Sequence, residues 1–351
     1  MKLNSKKLNL KLIFAVGAAC ISASALAMQA NAPKPNQQMQ TVLTELQNEG
    51  GKPIEKLSAK EARQQPTPAD AVKSVMNAEG KKDDKNAGLA KVEDRMIQGA
   101  VGLIPARIYI PEGKAPMPMI VYYHGGGFVI ANKDVYDAAP RAIARQAKAI
   151  VLSIDYRQAP EHKFPAAHDD AFAAYQWALK NAQSLGADPN HIAVAGESAG
   201  GNLAINVSMR ARDQGIKLPV HQLLVYPVAG TNMNTESYLQ NANAKPLGKG
   251  GMAWFMKMYT NKPSDAQDTR LNVIEANLKG LPSTTIITAE IDPLRSEGKE
   301  LASRLKAQGV NVSYRNFEGV THEFFGMAPV IDEAKKAQDF AVSELKGAFS
   351  G

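Results

Sequence analysis

One stretch constrains the architecture of this chain more than any other: HIAVAGESAGGNLAINVSMRAR, residues 191–212. An apolar run, Ile192 to Ala195, ends in Gly196-Glu197-Ser198-Ala199-Gly200-Gly201, and apolar residues at helical spacing follow. Glycine is the poorest non-proline residue inside strands and helices. Glycines crowded between two regular elements therefore mark either a flexible loop or a reversal too tight for side chains. The strand before and the helix after favour the reversal, with Ser198 at its tip. Gly196 and Gly200 are then small because side chains there would collide across the turn, while Ala199 and Gly201 let the helix lie close to the strand.

The same alternation runs through the chain from residue 91. Short runs rich in β-branched residues are expected as strands at 91–97, 106–110, 118–124, 149–156, 191–197, 222–227, 284–290 and 311–317. Amphipathic stretches between them predict helices at about 136–147, 166–181, 199–213, 296–308 and 330–346. Near-continuous apolar strands alternating with helices imply an α/β fold: about eight strands, mostly parallel, with helices on both faces. One insertion, about 230–275, breaks the rhythm and carries GMAWFMKMY, with Trp254, Phe255, Met256 and Tyr259 crowded together. It reads as a lid or pocket wall; the plainer reading is the filling of a helix–sheet interface. Upstream, 31–90 is polar and aromatic-poor, with two helices expected around MQTVLTELQ and PADAVKSVMNAEG.

Residues 1–27 differ from both regions. Lys2, Lys6, Lys7 and Lys11 precede an apolar core, Leu12 to Ala19, and Ala25-Leu26-Ala27 supplies small residues for cleavage. This layout is that of a secretory signal peptide, the alternative being an uncleaved N-terminal anchor, and its core is too short for a comfortable membrane span. A secreted or periplasmic protein beginning near Met28 is expected, with no stable membrane span after cleavage. It would have lost Cys20, the one cysteine, and with it any disulfide. Four of the positive charges behind the net +7 lie in that leader. The remaining +3 is no footprint for nucleic acid. The remaining composition, 44% hydrophobic and 21% charged, is that of an ordinary globular domain.

A serine hydroxyl needs an adjacent base to act as a nucleophile. Only His221 and His322 follow Ser198. His221 sits too close behind the helix after Ser198 to leave room for an intervening acid on its own strand, and reads as a residue opening a strand. His322, in FEGVTHEFFG, follows the last strand and is the expected base. The acid belongs after the penultimate strand, where TTIITAEIDPLRSEG offers Glu290 and Asp292. Asp292 is preferred, because Glu290 still belongs to the strand end and Pro293 stiffens the turn that presents Asp292. Either carboxylate could instead serve the N-terminus of the next helix. His124-Gly125-Gly126-Gly127, at the end of the 118–124 strand, is suited to turn backbone N–H groups toward an oxyanion, with Ala199 N–H as a further donor. His124 reads as a loop-ordering hydrogen-bonder.

Taken together, HGGGF (124–128), DYRQAPEHKFPAAHDD (155–170), GESAGGNLA (196–204), AEIDPLRSEG (289–298) and THEFFG (321–326) resemble the hormone-sensitive-lipase-like esterases of the α/β-hydrolase fold, in their bacterial branch. The resemblance covers about 95–346. It implies a triad of Ser198, Asp292 and His322, oxyanion N–H groups from Gly126, Gly127 and Ala199, and structural ionic struts at Asp155, Arg157 and Glu161. It also implies a helical cap built from the N-terminal helices (28–90) and the 230–275 insertion, over a catalytic domain of 91–351. The implied activity is a serine carboxylesterase for small-molecule esters with no cofactor or metal. Alternatives on the same residues are an amidase, a lactonase, a polyester hydrolase or a non-catalytic binding member of the fold. Two departures stand out: Glu197 where many members have Asp, and Glu323 where many have Gly. The segment DTRLNVIEANLKGLP also lacks the family's usual Ser-Pro pair.

Overall fold

Period-two patterning at Met117–Tyr123 sets the centre of the molecule. In this strand, β3, Met119, Val121 and Tyr123 join one apolar cluster and Ile120 and Tyr122 another, so both faces are covered. The structure is a computed structural model and describes residues 32–82 and 84–351. The expected leader, with Cys20 and the cleavage site before Met28, lies outside the described residues.

β1 (Leu89–Gln98), β2 (Leu103–Pro111), β4 (Ile150–Ile154), β5 (Ala187–Glu197), β6 (His221–Val225), β7 (Ser283–Ile291) and β8 (Val312–Thr321) join β3 in one eight-stranded sheet. Its order is β1-β2-β4-β3-β5-β6-β7-β8. β1–β2 and β2–β4 pair antiparallel, and every pair from β4 through β8 is parallel. The helices are α1 (Gln37–Asn48), α2 (Ala59–Ala62), α3 (Pro68–Ala78), α4 (Ala138–Ala147), α5 (Ala166–Asn181), α6 (Ala199–Asp213), α7 (Glu236–Gln240), α8 (Lys249–Tyr259), α9 (Arg295–Ala307) and α10 (Asp332–Phe349). None among the described residues is long and apolar enough to cross a membrane.

α5, α6 and α9 bury their apolar stripes on one face of the sheet, for example through Tyr175, Leu203 and Leu305. α4 and α10 do so on the other, through Ile143 and Leu345. α3 starts with Thr67 and Asp70 bonded reciprocally as a capping box and Pro68 in its first turn. The N-terminal segment divides its contacts. α1 and α3 bring Met39, Val42, Val72 and Val75 into the cluster that holds Phe324 and Phe325, just after His322. The short stretch Ile54–Ala62 instead packs with Met252, Trp254 and Phe255 of α8, and Trp254 Nε1 donates to Leu57 O at 3.0 Å. Arg63 fastens this stretch to the sheet's loops. It grips Glu161 with two nitrogens at 2.7 and 2.8 Å and donates to Val129 O and Ala159 O.

Candidate active site

The carboxyl ends of β5, β7 and β8 deliver Ser198, Asp292 and His322 to one place, the crevice position that open parallel sheets offer for ligands. Ser198 stands between β5 and α6 at φ 56°, ψ −118°. A non-glycine residue there carries a strain of about 1–3 kcal/mol and persists only where its neighbours hold it. Three backbone bonds do so: Ser198 N to Val225 O, and Val228 N and Asn202 N to Ser198 O. The turn is as tight as expected: a Cβ on Gly200 would lie 1.9 Å from Tyr123 O.

His322 Nε2 is 3.0 Å from Ser198 Oγ, and His322 Nδ1 is 2.7 Å from Asp292 Oδ2. A carboxylate only accepts, so Nδ1 carries the proton and Nε2 is left bare toward the serine hydroxyl. Asp292 Oδ1 accepts from Leu294 N at 2.8 Å, so the acid's orientation is fixed from both oxygens. Glu290 is elsewhere: its Oε2 accepts from Gly319 N and staples β7 to β8. His221 opens β6, as expected, and is bonded to Ser283 and Thr285. Burial pushes its pKa down to about 4.

The loop after β3 lies beside the serine. Gly126 O accepts from Val129 N and Ile130 N, which folds the loop back on itself. Among the described residues no backbone acceptor takes the N–H of Gly126 or Gly127, and Ala199 N opens α6, where first-turn N–H groups lack intrahelical partners. Gly127, at φ 59°, lies against the Phe255 ring, which a Cβ there would meet at 2.2 Å. Phe128 stacks on Tyr259 at 4.1 Å between centroids. Tyr259 Oη is 2.8 Å from His168 Nδ1, and His168 Nε2 is 2.9 Å from Asn202 Oδ1. The amide oxygen accepts, so Nε2 bears the proton and Nδ1 accepts from the tyrosine. Burial holds His168 neutral, with a pKa pushed down to about 4. A buried chain thus links α8, the glycine loop and the first turn of α6. In the same loop His124 Nδ1 bonds Gly125 O at 2.7 Å and its ring stacks on Tyr156.

The strut residues are paired. Arg157 grips Asp170, Glu161 meets Arg63, and Asp155 accepts from Lys133 N.

A second layer of acids surrounds the histidine. Glu197, fully buried, accepts from Tyr122 and Tyr226 hydroxyls, and the Tyr226 ring tilts against His322 at 4.5 Å. Burial, then the charge of Glu323, raises the Glu197 pKa to about 7 despite those two bonds. Glu323, at φ 73°, accepts from Tyr136 Oη and places Oε1 3.8 Å from His322 Nε2. Burial alone would lower His322, but Asp292, and after it Glu323 and Glu197, outweigh burial and raise it. The tyrosines at 122, 136 and 226 escaped sequence reasoning. The one usable signal was alternation in VYYHGGG, which sends Tyr122 to the face opposite Tyr123.

Residues 120–326 match a family model described as α/β-hydrolase fold. The chain belongs to the hormone-sensitive-lipase-like esterase family of α/β-hydrolases. Among this hydrolase's relatives, carboxylesterase NlhH of Mycobacterium tuberculosis is 40% identical over 266 residues, 74% of this chain and 83% of that protein. Ethyl acetate hydrolase of Pseudomonas putida is 31% identical over 301 residues, 84% and 92% respectively. Among solved structures, a hyperthermophilic esterase from the archaeon Pyrobaculum calidifontis is 38% identical with a TM-score of 0.77, covering 83% of this hydrolase and 94% of that chain. A variant of esterase rPPE is 32% identical with a TM-score of 0.82, covering 91% and 98%.

Proposed function

We propose that this carboxylic ester hydrolase cleaves short- to medium-chain acyl esters through a Ser198–His322–Asp292 triad and an acyl-enzyme. The observation that carries the reading is the unbroken chain Ser198 Oγ–His322 Nε2, 3.0 Å, and His322 Nδ1–Asp292 Oδ2, 2.7 Å. Ser198 Oγ attacks the ester carbonyl carbon while Nε2 takes its proton. Asp292 holds the imidazole in the tautomer that leaves Nε2 bare and stabilises the imidazolium. Gly126, Gly127 and Ala199 N–H groups receive the developing oxyanion; one such donor is worth about 2.7–4 kcal/mol elsewhere. Collapse breaks the ester C–O bond, and Nε2 returns its proton to the departing alcohol oxygen. Water, deprotonated by the same Nε2, then attacks the acyl carbon; the C–Oγ bond breaks and Nε2 returns its proton to Ser198 Oγ, releasing the acid.

The relatives' names, carboxylesterase and ethyl acetate hydrolase, support small esters as substrates. The short-chain preference rests on α8 and Ile54–Ala62 standing against the glycine loop. Export through cleavage near Ala27 belongs to the same proposal, and an intact mass retaining the lysine-rich head would refute it.

The test is a panel of p-nitrophenyl esters of rising acyl length, run beside matched amides and lactones. The reading expects ester turnover with an optimum below palmitoyl. Faster turnover of the amides or lactones would replace it with an amidase or lactonase.

A further inference from the structure

We propose that Glu323 makes this enzyme selective for esters whose alcohol portion carries a positive charge close to the ester oxygen, the esters of amino alcohols. The inference rests on the triad reading above and concerns the leaving-group side of the same site.

His322 Nε2 faces Ser198 and gives its proton to the departing alcohol, so the alcohol oxygen must pass beside that nitrogen. Glu323 Oε1 is 3.8 Å from the same nitrogen. A substituent two or three bonds beyond the leaving oxygen is therefore within reach of this carboxylate. The side chain is 20% exposed, so a ligand can touch it.

Its hydrogen bonding is incomplete. One Tyr136 hydroxyl serves both carboxylate oxygens, at 2.6 and 2.7 Å. A carboxylate offers about four acceptor sites, so capacity remains for a donor or a cation. Among the described residues its ion pair is with His322 alone; no lysine or arginine lies within ion-pair distance. Asp292 and Glu197 add charge of the same sign around the histidine. A partly buried anionic group without a fixed cation is costly, and an ammonium brought by the substrate offsets that cost.

The backbone gives a second reason. Glu323 holds φ 73°, the left-handed region that glycine occupies freely. A glutamate there is strained, yet its carboxylate is aimed at the reacting nitrogen and tied down by Tyr136. A residue placed against backbone preference at the reaction centre points to use by the reaction's partner.

The experiment compares kcat/KM for butyrylcholine and 3,3-dimethylbutyl butyrate, which share a shape and differ in charge. Wild type, Glu323→Gln and Glu323→Gly are assayed at about pH 8. Wild type should favour the cationic ester by about tenfold or more. Both variants should bring the ratio close to one, and rising salt should erode the wild-type preference. A wild-type ratio near one, or a preference that survives in Glu323→Gln, overturns the inference and leaves the esterase reading standing. Failure of wild type to hydrolyse the neutral butyrate overturns both.

Discussion

At the residue scale, the site depends on which atoms carry protons. Nε2 of His322 is bare because Nδ1–H is committed to Asp292. Asp292→Asn presents an amide that favours the wrong tautomer and should cut kcat roughly 10⁴-fold. Glu290→Gln, which only weakens the bond to Gly319 N, should be far milder. Steady-state kinetics of the pair checks the assignment, and reversed effects would exchange the two acids. The pH profile is a separate test. In the proposed mechanism His322 must be neutral to take the serine proton, and its raised pKa then predicts that kcat/KM falls with falling pH from above the ordinary histidine value. Glu323 is one of the anions that favour the imidazolium, beside Asp292 and Glu197. Glu323→Gln removes that charge, so the acid limb should move to lower pH; a limb that stays put or moves up contradicts this electrostatic picture. These acids were only partly legible beforehand. Ser198, Asp292 and His322 stand in motifs with local context, whereas Tyr122 and Glu197 meet from 75 positions apart because β3 and β5 are neighbours in the sheet. No local pattern encodes that pairing.

At the element scale, strand and helix boundaries were legible where periodicity meets punctuation. α5 and α6 fall where their apolar spacing placed them, and α9 runs out just before Gly309. β8 extends beyond the expected Phe317 to Thr321, because a register shift lets Thr321 pair with Ile291. That extension brings His322 level with Asp292, a consequence of pairing and not of strand propensity. The tightest joint is between β5 and α6. In Gly200→Ala the new methyl would stand 1.9 Å from Tyr123 O, a backbone atom that cannot step aside. Overpacking of this kind costs about 1–3 kcal/mol and more where backbone must move. Thermal denaturation should show a clearly lowered Tm; an unchanged Tm would mean that the turn is looser than described.

At the scale of the whole molecule, the eight-stranded sheet supplies the ends of β5, β7 and β8, and the N-terminal segment and α8 pack around them. The N-terminal region was legible as helices but not as to where they dock. α1 and α3 back the His322 loop, while Ile54–Ala62 joins α8 against the glycine loop. Phe255→Ala removes the ring that lies on Gly127, so the acyl-length optimum should broaden in an ester panel while the triad stays in place. An unchanged profile would take α8 out of substrate selection. Everything proposed for the site turns on Ser198 being the nucleophile, and p-nitrophenyl butyrate hydrolysis by purified wild type and Ser198→Ala bears on that without intermediaries. With the fold verified by circular dichroism, Ser198→Ala should lose on the order of 10⁶ in kcat. Turnover by Ser198→Ala within tenfold of wild type would contradict it.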